Sequence, residues 1–156
     1  MDNQEAERLV MTLSGANLQR EFSAKVGLNP RFKSFDGFHI DFFLRDFLTG
    51  HADLSLFKFD NEIVWTEFYP VENIPSVKKR GLGTLAMLLP LIELNKRCNL
   101  NSKYNVTHSR ITEESLAHLN RLGIKPVEMP LRDYFERAVN YANSKGFRFT
   151  NPLKRV

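Results

Sequence analysis

Three strand-like stretches follow one another in the first half of the chain, with only short connections between them. In the first, Phe38 and Ile40 point one way and alternate with His39 and Asp41, which point the other way; this is the pattern of a strand with one buried face. Parallel strands need a crossover of a dozen or more residues, whereas antiparallel strands can be joined by tight turns. We therefore expect an antiparallel meander, in which Glu67 shares a face of the third strand with Ile63 and Trp65. The predicted strands are residues 38–47, 53–59 and 62–69, with turns at 49–51 and 60–61.

A basic, glycine-containing stretch after the third strand runs directly into an apolar helix. It reads PSVKKRGLGT over residues 75–84 and is followed at once by LAMLL. The first N–H groups of a helix have no partner within the helix, and the helix dipole adds partial positive charge there. Because glycine lets a ligand approach the backbone closely, this junction is suited to binding a phosphate or pyrophosphate.

The remaining segments predict helices and one or two further strands. Residues 5–18 are expected to form a helix, and residues 22–28 a short helical or turn segment. We expect a single α/β (α+β) domain over residues 1–156, with a mixed, mostly antiparallel sheet and flanking helices. After the meander, the predicted elements are a helix over 83–96, a strand over 103–107, a helix capped by Thr112 and Gly123, a helix over 131–144 and a short strand at 147–149. The helix over 131–144 has a buried apolar stripe that includes Tyr134, and Gly146 is expected to end it.

The net charge and the cysteine content of the chain indicate which kinds of ligand and which cellular location to expect. The formal net charge of +4 over 156 residues weakly favours an anionic ligand such as coenzyme A or nucleic acid, and a solvated basic surface explains it equally well. Cys98 is the only cysteine, which excludes an intramolecular disulfide and favours a cytoplasmic location. The polar N-terminal residues do not resemble a secretory signal, and no apolar run has the length of a membrane span.

The glycine stretch resembles a known signature. Lys78-x-x-Gly81-x-Gly83 is similar to the Arg/Gln-x-x-Gly-x-Gly/Ala motif of the GNAT family, the acetyl-CoA-dependent N-acetyltransferases, although a lysine stands where that family has arginine or glutamine. The resemblance implies a GNAT-like fold, acetyl-CoA as co-substrate and an amine as acceptor. It implies that the loop holds the coenzyme pyrophosphate and that strand backbone around Tyr69 and Val71 binds the thioester oxygen. The pyrophosphate-binding residues would be Lys78, Lys79, Arg80, Gly81, Leu82, Gly83 and Thr84.

A second part of the resemblance lies in the helix that ends at Gly123. Its last residues, Arg121 to Ile124, are similar to the end of the family's late helix, so the resemblance extends over roughly residues 38–124. The tyrosine that often acts as general acid in that helix corresponds to Leu119, which cannot donate a proton. Many family members also end in two strands, whereas residues 131–144 predict a helix. Either the acid lies elsewhere, or the scaffold does not catalyse acetyl transfer.

Three residues are candidates for proton transfer. Glu67 is the candidate general base, because several family members carry a catalytic glutamate at the end of this strand; a surface-facing strand carboxylate is the alternative. His108 and His118 titrate near neutral pH in ordinary surroundings, although a lone histidine is more often structural. Asp41 and Asp46 could line an acceptor pocket, although carboxylates at strand edges are common. No cysteine or histidine spacing indicates a metal site.

Two functions follow as hypotheses. The first is an acetyl-CoA-dependent N-acetyltransferase acting on an amine of a small molecule or a protein. The second is a non-catalytic GNAT-like scaffold, on which Lys78, Lys79 and Arg80 contact phosphates or an acidic protein. Aromatic residues are seldom interleaved with the basic ones, so nucleic acid is the less favoured partner, and no membrane partner is expected.

Overall fold

The computed structural model describes residues 8–12, 22–28, 36–44, 47–69 and 82–153. Within these residues, seven strands form one sheet in the order β1-β2-β3-β4-β5-β6-β7, and three helices accompany it. The α+β class with a mixed sheet is therefore confirmed. The strands are β1 Arg8–Thr12, β2 Phe22–Leu28, β3 Asp36–Leu44, β4 Phe47–Phe57, β5 Glu62–Tyr69, β6 Asn105–His108 and β7 Met129–Pro130. The helices are α1 Leu82–Cys98, α2 Glu113–Leu122 and α3 Leu131–Ser144.

The antiparallel part of the sheet is larger than the sequence predicted. The meander of β3, β4 and β5 is confirmed, but β1 and β2 extend it by two antiparallel strands. The predicted helix over 5–18 and the helical or turn segment over 22–28 are therefore wrong over the described residues. In so short a window, apolar residues such as Leu9 and Val10 fit a strand as well as a helix, and cross-strand pairing decides between them.

The predicted turn at 49–51 is also wrong, because these residues lie inside β4. Gly50 pairs with Phe42 and Leu48 with Phe43, so that Thr49 is an extra residue in the ladder. The hydroxyl of Thr49 donates to the carbonyl oxygen of Phe42 at 3.2 Å. Such a β-bulge accommodates the small residues that suggested a turn. The turn before β5 is confirmed, with Asn61 in the left-handed region at φ 53°.

A second bulge lies near the end of β5 and changes which way its side chains face. Leu54 pairs with Trp65 and Asp53 pairs with Glu67, which leaves Thr66 as the extra residue. Trp65 consequently lies on the core face and Glu67 on the opposite face. The expectation that these two residues share a face is wrong, because one inserted residue reverses the alternation of side chains.

Strand β6 pairs with β5 in parallel, and α1 provides the connection between them. Helix α1 is buried over most of its length, as is typical of a helix that is apolar all round, and it packs against β1, β2 and α3. The core lies between the sheet and the helices. Its largest fully buried side chains are Trp65, Tyr134, Phe42, Phe135, Ile40, Leu54, Ile63, Leu85, Met87 and Leu88.

The C-terminal third largely follows its local signals. Thr112 caps α2 by accepting from the backbone N–H of Ser115 at 3.1 Å, and Gly123 ends that helix at φ 78°. Helix α3 has the predicted bounds. The predicted strand at 147–149 is wrong, because the side chain of Asn143 takes up both the N–H and the carbonyl group of Phe149, at 2.9 and 3.0 Å.

Candidate functional site

The predicted phosphate-binding stretch reaches the described part of the chain at the first turn of α1. Five predicted coenzyme-binding residues lie outside the described residues, and their roles stay predictions: Val71, Lys78, Lys79, Arg80 and Gly81. Leu82, Gly83 and Thr84 open the helix, and Thr84 is buried. The first turn contains no acidic side chain that would repel an anion. The backbone N–H groups of this turn therefore follow directly on the basic stretch, as an anion site requires.

His118 of α2 lies beside that first turn. A guanidinium N–H of Arg121 points to its Nδ1 at 3.4 Å, and because arginine can only donate, Nδ1 accepts and Nε2 carries the proton. Nε2 then donates to the hydroxyl oxygen of Thr84 at 3.0 Å. Burial, together with the positive charge of Arg121, lowers the pKa of His118 to about 4. At pH 7 the ring of His118 is uncharged. It donates its one N–H to Thr84 and lacks the second ring proton that a general acid would transfer.

His108 lies at the end of β6 within an aromatic cluster. Its ring stacks on Trp65 and on Tyr134, with centroids 5.7 and 5.8 Å away, and the Phe68 ring lies nearly perpendicular to it with its centroid 5.3 Å away. Its Nε2 is 2.7 Å from the hydroxyl oxygen of Tyr134. Phe68 reaches this cluster because the bulge at Thr66 turns it to the core face.

The protonation states in this cluster are set by burial. Burial, and to a smaller degree the charge of His118, lowers the pKa of His108 to about 3. Burial raises the pKa of Tyr134 well above its ordinary value. The nearby indole of Trp65 lowers that pKa by a smaller amount, although the indole N–H does not have the geometry of a hydrogen bond. The imidazole and the phenol are thus both uncharged at pH 7, and the pair is suited to hydrogen bonding rather than to acid catalysis.

Glu67 belongs to a different group of side chains on the other face of the sheet. We call this the open face: it is the face of β3, β4 and β5 that points away from the core, and its polar side chains are mostly about 40% exposed. Register pairing places imidazoles beside carboxylates across the three strands. One row contains His39, Asp53 and Glu67, and the next contains Asp41, His51 and Tyr69.

The contacts within the open face join imidazole rings to carboxylates. His39 bonds Asp53 through Nδ1 at 2.8 Å and Asp41 through Nε2 at 3.1 Å. Burial lowers the pKa of His39, but the hydrogen bond to Asp53 and the charges of the two carboxylates outweigh it, so the pKa is raised overall. Nε2 of His51 lies 3.5 Å from a carboxylate oxygen of Glu67, which leaves Glu67 accessible beside an imidazole.

The three predicted proton-transfer residues do not form one cluster. His108 and His118 lie on the helix-covered side, close enough for the charge of one to influence the other. Glu67 lies on the open face. Strand β6 stops at His108, whereas β5 continues past their last register pair to Tyr69. Tyr69 is itself 41% exposed there.

Sequence reasoning missed most of the partners of these residues. Alternation along β3 already placed His39 and Asp41 on one face, which was the available signal for the open-face cluster. Tyr134 was predicted only as part of the buried stripe of α3, and no spacing rule connects it with His108. The described residues contain no group of histidine, cysteine and carboxylate side chains that could hold a metal ion.

Comparison with known proteins adds no assignment. No family model, curated protein or solved structure matches the chain. Among the described residues, none of the helices combines the length and the apolar character needed to cross a bilayer. Function is therefore argued from the geometry of the site.

Proposed function

We propose that this chain is an acetyl-CoA-dependent N-acetyltransferase of the GNAT type. The observation that carries the proposal is the β5–α1–β6 unit, in which β5 leads into the basic glycine stretch, α1 follows, and β6 returns parallel to β5. In sheets with parallel strands, ligands bind beyond the carboxyl ends of the strands and next to a helix N-terminus. In this unit, β5 ends at Tyr69, β6 ends at His108, and Thr84 lies in the first turn of α1.

The coenzyme pyrophosphate would bind at the N-terminus of α1. Backbone N–H groups and the helix dipole favour a doubly charged group there, and Lys78, Lys79 and Arg80 add cationic side chains within a few residues. Thr84, held by His118 at 3.0 Å, completes a first turn free of carboxylates. These features support an anionic ligand at this position.

Acetyl transfer requires removal of one proton from the acceptor amine. Glu67 would accept that proton on the open face, where it is 40% exposed and therefore accessible to a solute. The freed lone pair attacks the thioester carbon, the C–S bond breaks, and coenzyme A leaves as its thiolate. Backbone N–H groups around Tyr69 would stabilise the carbonyl oxygen as it gains negative charge.

The departing thiolate would be protonated by water. Leu119 occupies the position of the family's acidic tyrosine and is packed in the core. The pKa values of His108 and His118, lowered by burial to about 3 and about 4, leave both imidazoles without an acidic proton at pH 7. A thiol has a pKa near 8.5, so its anion can leave without a strictly required acid.

Calorimetric titration with acetyl-CoA and with free coenzyme A tests the proposal. We expect saturable binding that is abolished in Gly81→Val, because a branched side chain would block the pyrophosphate. Lys78→Ala should weaken binding mildly, and Lys103→Ala, which removes an exposed lysine elsewhere, should not. Absence of binding to either coenzyme form, or unchanged affinity in a folded Gly81→Val protein, would contradict the proposal.

A non-catalytic binding scaffold is the second candidate. The observation that favours it is the burial of Leu119, which leaves α2 without a proton donor where the family has one. Under this alternative, Lys78, Lys79 and Arg80 bind an acidic partner. Affinity for that partner would fall steeply with salt and would not respond to coenzyme A.

A further inference from the structure

Two buried ring nitrogens at the end of the β5–β6 pair lack a hydrogen-bond partner within the part of the chain that the structure describes. Among the described residues, none bonds Nδ1 of His108 or Nε1 of Trp65, although the two side chains are 4% and 0% exposed. The two rings stack with their centroids 5.7 Å apart, and the indole of Trp65 lies beside the Tyr134 hydroxyl, so Nδ1 of His108 is the nitrogen left for a ligand. Buried polar groups are almost always paired, and an exception at the carboxyl end of parallel strands points to a ligand.

Tyr134 determines which nitrogen of His108 carries the proton. Its hydroxyl oxygen lies 2.7 Å from Nε2, a distance typical of an O–H donor and at the short end of the range for an N–H donor. The imidazole is neutral, because burial lowers the pKa of His108 to about 3. With Nε2 accepting from Tyr134, the single ring proton must lie on Nδ1. His108 is thus a neutral residue with one ring N–H that no described residue accepts.

His108 lies where the two parallel strands part. Trp65 and His108 form the last register pair of β5 and β6. His118, which bonds Thr84 at the start of α1, lies close enough to influence the charge of His108. A ligand with its phosphates at the N-terminus of α1 and its reactive end near Tyr69 would therefore extend past His108.

The surroundings of Nδ1 select the kind of ligand atom. Trp65 and Phe68 form apolar walls around the imidazole, and an ionic acceptor would lose its hydration there without gaining a countercharge. A carbonyl oxygen pairs with a neutral N–H at a much smaller desolvation cost. The arm of an acyl-coenzyme A contains such oxygens in its two amides and in its thioester.

We propose that Nδ1 of His108 donates a hydrogen bond to a carbonyl oxygen of the acyl-coenzyme A arm, and that Tyr134 is the positioning residue that holds His108 in the donating tautomer. This inference rests on the proposed acyltransferase function and extends it to the recognition of the arm. It assigns His108 to binding rather than to proton transfer. It also assigns a role to the Tyr134 hydroxyl group, which packing in the core alone would not need.

Nitrogen-15 NMR of the histidine rings tests the tautomer in the free protein. We expect a protonated Nδ1 and an unprotonated Nε2 for His108, with the preference weakened in Tyr134→Phe. Tyr104→Phe removes the hydroxyl of another buried tyrosine and serves as the matched control. A proton on Nε2 of the wild-type ring, or an unaltered tautomer in Tyr134→Phe, would overturn the inference whether or not the coenzyme binds.

Calorimetry with variants of His108 tests the contact itself. His108→Leu removes the donor and should weaken acetyl-CoA binding roughly 3- to 10-fold, the range for one uncharged hydrogen bond. His108→Asn places an amide N–H near the position of Nδ1 and should retain more of the affinity. Parallel titrations with free coenzyme A, which lacks the thioester, distinguish the acceptors. An equal loss for both forms identifies an amide carbonyl, and a loss confined to acetyl-CoA identifies the thioester.

The two proposals fail in different ways. Wild-type affinity in folded His108→Leu, or the same loss in His108→Asn as in His108→Leu, would refute the contact and leave the acyltransferase proposal standing. Wild-type protein that binds neither coenzyme form would refute both. If His108→Leu does not fold, His108→Asn and Tyr134→Phe remain decisive, because we expect Tyr134→Phe to weaken binding and Tyr104→Phe to leave it unchanged.

Discussion

Deleting Thr66 should be tolerated, whereas deleting Val64 two residues earlier should not. Thr66 is the extra residue between the pairs Leu54–Trp65 and Asp53–Glu67, so its removal leaves both pairs able to form. Val64 is an ordinary member of the ladder, and its removal shifts the register on one side by one residue. A slip of one residue turns every side chain on the shifted side to the opposite face.

The two deletions differ in the burial that they remove. Loss of Thr66 removes the hydrogen bond from its hydroxyl to the carbonyl oxygen of Asp53, worth about 0.5–1.5 kcal/mol. Loss of Val64 turns either Ile63 or Trp65, each at most 1% exposed, toward the open face. Exposing one such side chain costs about 1.5–3 kcal/mol, and the broken pairing with β6 raises the total to about 3 kcal/mol or more.

Thermal and urea denaturation of the two deletion variants measure this difference. For a chain of this length 1 kcal/mol corresponds to about 2–4 °C, so we expect a decrease in melting temperature of about 3 °C without Thr66 and about 9 °C or more without Val64. Thr66→Val retains the bulge and isolates the hydrogen bond. If the Thr66 deletion destabilises the protein as much as the Val64 deletion, the register assigned to β5 is wrong.

Three further predictions concern individual side chains. Glu67→Gln should lower the rate of acetyl transfer roughly 10²-fold or more with little change in acetyl-CoA affinity, and full turnover would assign proton removal to another group. His118→Ala should lower turnover less than about tenfold, below the usual effect of an essential acid, and a collapse of activity with intact coenzyme binding would identify it as one. Because the pKa of His39 is raised in the folded protein, its contribution to stability is fully present below about pH 6.5 and is lost as the pH rises through the folded-state pKa. Urea denaturation should therefore show a larger stability difference between wild type and His39→Asn at about pH 5.5 than at about pH 8.5, and an equal difference would contradict the assigned contacts.

The sequence correctly predicted the helix ends and the hairpin turn, because these depend on interactions between residues that are close in the chain. The bounds of α3 followed from an apolar stripe at helical spacing and from Gly146, which adopts φ 97° just beyond the helix. Both caps of α2 were readable because the side chain of Thr112 and the backbone freedom of Gly123 act within a few residues. The hairpin at Asn61 belongs to the same group.

The failures share a different physical cause. Whether residues 8–12 and 22–28 form strands depends on the neighbouring strands with which they pair. The sequence of a short apolar segment does not show which strands those are. The contacts of the candidate site were missed in part for the same reason. Residues 108 and 134 meet only because α3 packs against β6, and the sequence pattern of a tyrosine on a buried helix stripe is the same whether or not its hydroxyl has a partner.

The bulge at Thr66 connects the two halves of the proposed mechanism. In a regular strand, the alternation that buries Ile63 and Trp65 would also turn Glu67 inward, where an unpaired carboxylate is costly. It would turn Phe68 outward, away from His108. One inserted residue reverses both, so that Glu67 reaches solvent and Phe68 closes the apolar wall around the imidazole. The proposed proton acceptor on one face and the proposed carbonyl-binding donor on the other then flank the end of β5, where we propose that the amine and the thioester meet.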